Sequence, residues 1–141
     1  MMKFGGITPY MHYEDAAASL DWLARVFGFE EIARYVDGDG RVREAEIHVG
    51  NAQIWISGRD PGYWDEKGRG PEQLMLIWVD DVDAHYERVK AAGFDVKPPE
   101  DKPYGVRSYG VTDPEGYEWG FMQPTGKGFE QGSGGLTEVR A

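Results

Sequence analysis

The sequence contains an internal repeat, which constrains the fold more than any other feature. Residues 10–29 read YMHYEDAAASLDWLARVFGF, and residues 75–94 read MLIWVDDVDAHYERVKAAGF. Aligning Asp15 with Asp80 also aligns the Gly-Phe pairs that end the two blocks, without a gap. Each block starts with an apolar-rich segment typical of a strand and continues with a helical apolar period. The repeat therefore predicts two equivalent strand-helix units.

Residues that favour helix ends bound both predicted helices. Asp15 and Asp80 are suited to accept hydrogen bonds from the free backbone N–H groups of a first helical turn. Gly28 and Gly93 are suited to the left-handed conformation that commonly ends a helix. The two helices are therefore expected to begin and end at matching positions of the repeat.

After each helix, alternating apolar and polar residues predict short strands separated by turns. The predicted strands cover 30–36, 42–49 and 52–57 in the first half, and 95–97, 106–111 and 117–123 in the second. Each half thus has the order βαβββ. We predict one domain with module 1 at about 6–57, a connector at 58–72, module 2 at about 73–124 and a flexible tail at 125–141.

Composition excludes several functional classes. The 141 residues carry a formal net charge of −10, which argues against nucleic acid as a partner but could steer a cationic ligand. The absence of cysteine excludes disulfides and zinc fingers. No run is apolar enough for a membrane span, and no leader pattern is present, so we expect a cytoplasmic protein with no membrane partner.

Two segments resemble a known superfamily. ITPYMHYEDAAASLDWLARVFGF is similar to the opening strand and helix of the vicinal oxygen chelate (glyoxalase/bleomycin resistance/dioxygenase) superfamily, and DPEGYEWGFMQP is similar to its closing hairpin. The resemblance covers about residues 6–124. It implies an α+β fold in which tandem βαβββ modules form a cup-shaped mixed sheet with the helices on its outer face. It also implies a homodimer.

The resemblance further indicates where metal-dependent members of the superfamily hold their ion. The matching positions are occupied by Thr8, Trp55, Leu74 and Gly120, none of which is a normal ligand for a divalent metal. We therefore expect no metal and no other cofactor. A displaced site remains an alternative, because His12, Glu46, His48 and Glu118 could share the interior of the cup.

Strand alternation predicts which side chains line the cup. A shift of one residue would move a whole strand's side chains to the other face. The expected lining combines aromatic walls with a few polar groups, as small-molecule pockets do. The lining candidates for ligand binding are Tyr10, His12, Glu46, His48, Trp55, Trp78, Arg107, Tyr109 and Glu118, and Gln53, Leu74, Leu76 and Met122 are expected to line the cup with them.

Two functional hypotheses follow. The preferred one is a metal-independent binding protein of the bleomycin-resistance type, which would sequester a small aromatic or cationic compound by stacking and cation–π contacts. The alternative is a lyase, isomerase or dioxygenase-type enzyme. It would use either the displaced metal site or acid-base chemistry by His12, His48 or Glu46.

Overall fold

The computed structural model describes residues 2–68, 70 and 72–140, and these ranges contain eight strands and three α-helices. The strands are β1 (Tyr10–Tyr13), β2 (Glu30–Val36), β3 (Val42–Val49), β4 (Ala52–Gly58), β5 (Leu74–Trp78), β6 (Glu100–Asp101), β7 (Val106–Thr112) and β8 (Glu118–Pro124). The helices are α1 (Ala16–Trp22), which continues as a π-helical segment over Leu23–Phe27, α2 (Tyr63–Lys67) and α3 (Val82–Ala91). None of the helices in the described ranges is long and apolar enough to cross a membrane.

The chain divides into two compact units. The first contains the residues up to Glu72 together with Asp113–Tyr117, and the second contains Gln73–Thr112 together with the residues from Glu118 onward. Each unit holds one four-stranded mixed sheet and follows the order βαβββ. The α+β class with tandem βαβββ modules, predicted from the repeat, is therefore confirmed.

In the first unit the strands lie in the order β1-β4-β3-β2. β1 runs parallel to β4, and the other neighbours are antiparallel. Because side chains alternate along a strand, one face of this sheet is apolar and packs against α1. The buried residues of that face are Met11, Tyr13, Ala45, Ile47, Ile54 and Ile56.

The first helix has the predicted ends. The Asp15 carboxylate accepts a hydrogen bond from the backbone N–H of Ala18 at 3.1 Å, which satisfies a donor that the first turn leaves free. The π-helical segment ends at Gly28, whose φ of 83° lies in the left-handed region that favours glycine. Between these ends the helix buries Leu20, Leu23, Val26 and Phe27.

In the second unit the order is β5-β8-β7-β6, and α3 packs on β7 and β8. The cap of α3 is Asp81, which accepts the N–H of Ala84 at 3.0 Å, and not Asp80 as the repeat predicted. Asp81 directly precedes the fully buried Val82, and burying that side chain fixes the helix start one residue later. Gly93 follows the helix with a φ of 100°.

One further sequence prediction is wrong, and one element was not predicted. The short strand of the second half is Glu100–Asp101, paired with Ser108 and Arg107, rather than 95–97. The connector also contains the short helix α2, which its Gly, Pro and charged residues did not predict. The bounds of β2 and β3 match the predicted strands, and those of β4, β7 and β8 match to within one residue at each end.

Candidate functional site

An open groove of about 730 Å³ lies on the face of the first sheet that faces away from α1. Cavities of roughly 300–1,000 Å³ are typical of sites for drug-sized molecules. We refer to it as the groove. Its lining consists of Thr8, Tyr10, Tyr35, Glu44, Ala45, Glu46 and Trp55.

Strand register positions these side chains side by side. Tyr10 of β1 pairs with Trp55 of β4, and Trp55 in turn pairs with Glu46 of β3. Tyr35 of β2 pairs with Glu44 of β3. Side chains at paired positions are neighbours on one sheet face, so four strands contribute to a single lined surface.

The three aromatic side chains of the groove are accessible to a ligand. Tyr10 is 50% exposed, Trp55 49% and Tyr35 60%, although aromatic residues of this size are usually covered in a folded domain. Exposed ring faces stack on flat ligands and attract cations. The groove therefore offers an aromatic surface that the first unit does not bury with its own side chains.

The polar groups of the groove are acidic or neutral. The Tyr10 hydroxyl donates a hydrogen bond to Glu44 Oε1 at 2.6 Å. This bond is the main cause of the raised pKa of Tyr10, and burial is the second. Glu46 Oε2 lies 2.7 Å from Nε2 of His48. No lysine or arginine is among the described residues that line the groove. The two carboxylates therefore face the ligand space without a lining cation to neutralise them.

His12 lies two residues beyond Tyr10 on β1, and its ring meets the rings of Tyr10 at 5.3 Å and Tyr63 at 5.7 Å. Its Nδ1 atom is buried and has no hydrogen-bond partner in the described part of the chain. Burial, and then the nearby charges of Arg59 and Lys67, lower the pKa of His12. The neutral imidazole is therefore favoured at this position.

The structure places the predicted site residues of the first half on one sheet face. Tyr10, His12 and Trp55 share that face with Glu46 and His48. Only Tyr10, Glu46 and Trp55 of this set line the groove. The ligand-binding and catalytic roles of all five remain predictions.

The predicted residues of the second half fall on two different faces. Trp78, which is 61% exposed, and Glu118 lie on the open face of the second sheet. Arg107 and Tyr109 were expected on that face, and this orientation is wrong. Arg107 forms an ion pair with Asp83 of α3 at 2.9 Å, and the hydroxyl of Tyr109 lies 2.5 Å from Nδ1 of His85 on the same helix.

Tyr35, Glu44 and Ala45 line the groove but were not predicted to do so. Tyr35 lies on β2, where register irregularities on both sides of 33–35 disturb simple alternation. Glu44 lies two residues before Glu46 on β3, so the alternation that identified Glu46 and His48 was sufficient to find it.

The positions that correspond to the superfamily's metal ligands do not fit a metal. Thr8 and Trp55 offer one hydroxyl and one indole, neither of which is a usual ligand. A side chain at Gly120 would meet Leu76 Cδ2 at 3.0 Å and Leu74 Cδ1 at 3.9 Å, so leucine side chains occupy the space in front of it. Within the described ranges, no group of three or more His, Cys, Asp or Glu residues is arranged to hold an ion.

Comparison with known proteins shows one consistent relationship. Residues 11–121 match the family model described as the Glyoxalase/Bleomycin resistance protein/Dioxygenase superfamily. TioX from Micromonospora sp. ML1 is 33% identical, with a TM-score of 0.67, over 87% of this chain and 98% of that chain.

Two more distant matches are similar over most of their length. An uncharacterized protein of Mycobacterium bovis is 28% identical over 125 residues, which cover 84% of this chain and 82% of that protein. TnmS3, an antibiotic binding protein from Streptomyces sp. CB03234, is 21% identical with a TM-score of 0.66, over 89% of this chain and all of that chain. At this identity the likeness to TnmS3 shows the fold alone.

Proposed function

This chain belongs to the Glyoxalase/Bleomycin resistance protein/Dioxygenase superfamily, and within it we propose that the protein binds a flat, cationic small molecule without using a metal ion. The observation that carries the proposal is the composition of the groove. Three half-exposed aromatic rings and two carboxylates surround about 730 Å³, and no lysine or arginine is among the described lining residues.

Aromatic faces and carboxylates favour the same kind of ligand. A planar ring system gains dispersion and stacking against Tyr10, Tyr35 and Trp55. A positive charge on that ring system is attracted both by the ring faces and by Glu44 and Glu46, each contact contributing on the order of 1 kcal/mol. An anionic ligand would meet two uncompensated carboxylates and gain none of these charge interactions.

The fold is compatible with binding as the class of function. TnmS3, which shares the fold, is named an antibiotic binding protein. The residues at the positions of the superfamily's metal ligands offer none of the side-chain groups that usually coordinate a metal ion. This supports a metal-independent role for the groove.

A series of acridines with matched shape tests the charge preference. Isothermal titration calorimetry compares 9-aminoacridine (a cation), 9-methylacridine (neutral) and acridine-9-carboxylate (an anion). We expect the cation to bind about tenfold more tightly than the neutral compound, equivalent to about 1.4 kcal/mol. The anion should bind most weakly. Equal affinities for the three compounds would overturn the proposal.

Substitutions locate the binding site. Trp55→Ala and Glu44→Gln should each weaken 9-aminoacridine binding, because they remove a stacking surface and a carboxylate of the groove. Tyr104→Ala removes an exposed aromatic of the second unit, and Glu87→Gln removes an exposed carboxylate of α3. These two controls should bind as the wild type does. If the controls weaken binding as much as the groove variants, the site lies elsewhere.

Metal independence has its own test. Elemental mass spectrometry of the natively purified protein should show no stoichiometric metal, and the melting temperature should not change when zinc, iron, nickel or manganese is added. The His12→Ala/His48→Ala double variant is measured alongside. A stoichiometric metal that this variant loses would replace the proposal with a displaced metal site.

One contact favours a second candidate function. Nε2 of His48 lies 2.7 Å from Glu46 Oε2, an arrangement in which a carboxylate orients an imidazole for proton transfer. Glu46 also lines the groove, so a bound molecule would lie near this pair. If compounds found by ligand screening are recovered chemically altered from the wild type but intact from His48→Gln, the protein is an enzyme.

The proposal includes a homodimer. β1 and β2 are the outer strands of the first sheet, and β5 and β6 are those of the second, within the described part of the chain. An outer strand presents backbone donors and acceptors that another chain can pair with. Light scattering during size-exclusion chromatography should give twice the 15.9 kDa chain mass, and a single-chain mass would remove this part of the proposal.

A further inference from the structure

Both carboxylates of the groove already have one oxygen atom hydrogen-bonded to the protein. Oε1 of Glu44 accepts the hydroxyl of Tyr10 at 2.6 Å, and Oε2 of Glu46 lies 2.7 Å from Nε2 of His48. Because an ionised carboxylate has no proton to donate, the imidazole is the donor in the second pair. One oxygen of each carboxylate is therefore engaged before a ligand arrives.

Strand register fixes the Tyr10 hydroxyl beside Glu44. Ser57 of β4 pairs with Glu44 of β3. Tyr10 of β1 pairs with Trp55, two residues before Ser57 on β4. The Tyr10 hydroxyl also hydrogen-bonds with Ser57, which is a buried residue. Two partners on neighbouring strands thus hold the hydroxyl, and a group that is held in advance loses little conformational entropy when a ligand binds.

Glu44 is better suited than Glu46 to bind the positive charge of a ligand. It is next to two aromatic side chains of the groove, since Tyr10 donates to it and Tyr35 is its partner on β2. Within the described ranges it forms no ion pair with a lysine or an arginine. Glu46 already has His48 as its partner, and a protonated imidazole would neutralise it. We therefore expect the positive charge at Glu44.

Two common kinds of organic cation bind a carboxylate differently. An amidinium or a guanidinium holds its N–H groups in a planar fork, and it gains most when it bonds both oxygen atoms of a carboxylate at once. An ammonium is a compact point charge that one oxygen atom can accept. At Glu44 the fork would have to share Oε1 with the Tyr10 hydroxyl, so its second bond contributes less. The bonded hydroxyl therefore favours the ammonium.

We propose that Tyr10 makes the groove selective for ammonium cations over amidinium and guanidinium cations, because its hydroxyl occupies one oxygen atom of Glu44. The inference rests on the proposed function, since it names the kind of positive charge that the flat ligand of the groove carries. The ring of Tyr10 stacks on the ligand and its hydroxyl sets the charge preference. Phenylalanine keeps the ring and lacks the hydroxyl, so the two roles can be separated.

Three naphthalene compounds with the same ring test this preference. 2-Naphthylmethylamine carries an ammonium, 2-naphthamidine carries an amidinium, and 2-naphthylmethanol is neutral. Isothermal titration calorimetry with the whole chain gives the dissociation constant of each compound. The amine should bind more tightly than the amidine, on the order of threefold, because it does not compete with the Tyr10 hydroxyl for an oxygen atom. An amidine that binds more tightly than the amine would overturn the proposal.

Tyr10→Phe frees Oε1 of Glu44, so the amidine should gain relative to the amine. The ratio of the two dissociation constants should shift towards the amidine on the order of fivefold. Tyr104→Phe removes an exposed hydroxyl of the second unit and should leave the ratio unchanged. Both compounds are titrated into the same preparation, so a loss of folded protein affects both alike. A ratio that is equal in the wild type and Tyr10→Phe would contradict the proposal.

The double variant Tyr10→Phe/Glu44→Gln shows which carboxylate causes the shift. A glutamine side chain has one acceptor oxygen and no charge, so an amidinium can no longer form its pair of bonds there. The shift produced by Tyr10→Phe alone should therefore disappear. If the shift persists without Glu44, another group accepts the amidinium and the proposal is wrong.

The neutral compound distinguishes failure of this inference from failure of the proposed function. If 2-naphthylmethanol binds as tightly as the amine, or if none of the three compounds binds, the proposed function fails and the inference fails with it. If the amine binds more tightly than the alcohol but Tyr10→Phe does not change the ratio of amine to amidine affinity, the groove prefers a cation as proposed and only the inference fails.

Discussion

The carboxylate of Glu115 is hydrogen-bonded to several segments of the first unit. Its carboxylate accepts the backbone N–H groups of Glu14 at 2.6 Å and Asp15 at 2.9 Å, the Ser19 hydroxyl at 3.1 Å and the Trp64 indole N–H at 2.8 Å. It therefore connects the start of α1 to α2. A neutral amide in its place has one acceptor oxygen instead of two and no charge to strengthen these bonds.

We expect Glu115→Gln to lower the free energy of unfolding by about 1–2 kcal/mol, because several charge-assisted hydrogen bonds weaken together. Urea denaturation followed by circular dichroism measures the change. Glu87→Gln, an exposed substitution on α3, is the matched control and should change stability by less than about 0.5 kcal/mol. Equal effects of the two substitutions would show that Glu115 does not organise this region.

His12 makes stability depend on pH in a defined direction. Its pKa is lowered in the folded protein, so the unfolded chain binds the proton more readily. The free energy of unfolding is therefore unaffected by His12 above the ordinary histidine pKa of about 6.5, where the imidazole is neutral in both states. It decreases as the pH falls from there towards the lower pKa of the folded protein, because only the unfolded chain is then protonated. Below both values the loss no longer grows.

Thermal unfolding of the wild type and His12→Gln between about pH 5 and pH 8 tests this dependence. The melting temperature of the wild type should decrease more than that of His12→Gln as the pH falls below about 6.5. The carboxylates titrate in both proteins and largely cancel in the difference. Parallel curves would mean that the proton on His12 is bound equally by the folded and unfolded states.

At the scale of the secondary-structure elements, the end of β4 depends on a glycine. A Cβ atom at Gly58 would lie 1.8 Å from the backbone oxygen of Val42 and 3.3 Å from Cβ of Ala16, so strand and helix approach closely here. Gly58→Ala forces backbone atoms apart and should destabilise the protein by about 3 kcal/mol. Gly38→Ala has open space around it and should cost less than about 1 kcal/mol by the same urea denaturation.

The sequence was sufficient to predict the bounds or the faces of strands in which apolar and polar residues alternate regularly. The bounds of β2 and β3 match their predicted positions, and the faces of β1, β3 and β4 follow from alternation because apolar and polar residues change regularly along them. The groove side chains Tyr10, Glu46 and Trp55 were found in this way. Periodic burial is a local property, so it can be read without knowledge of the neighbours.

Other elements depend on partners that are distant in the chain. α2 is anchored by the Trp64 indole on Glu115, and no local pattern predicts that bond. The face of β7 was predicted incorrectly because Gly110 has no side chain to show the alternation. The amphipathic Arg107 and Tyr109 find polar partners beneath α3. When polar side chains on the covered face of a sheet have such partners, the alternation of polar and apolar residues assigns that strand to the wrong face.

At the scale of the whole molecule, the net charge of −10 acts together with the two groove carboxylates on a cationic ligand. Salt separates these contributions because the screening length is about 10 Å at 0.1 M salt. The affinity of the wild type for 9-aminoacridine should fall as sodium chloride is raised from about 50 mM to about 500 mM. Part of that decrease should come from Glu44 and Glu46, since they lie nearest the ligand.

Two double variants with the same total charge distinguish the local from the global contribution. Glu44→Gln/Glu46→Gln and Glu87→Gln/Glu100→Gln both change the formal charge from −10 to −8, since each removes two negative charges. The two variants therefore have the same net charge, and the long-range attraction of a cation to the whole protein is weakened equally in both. Calorimetry at several salt concentrations should give a clearly shallower salt dependence for the groove variant than for the Glu87→Gln/Glu100→Gln variant of the second unit. Equal slopes would mean that the acidic surface as a whole, and not the groove, attracts the cation.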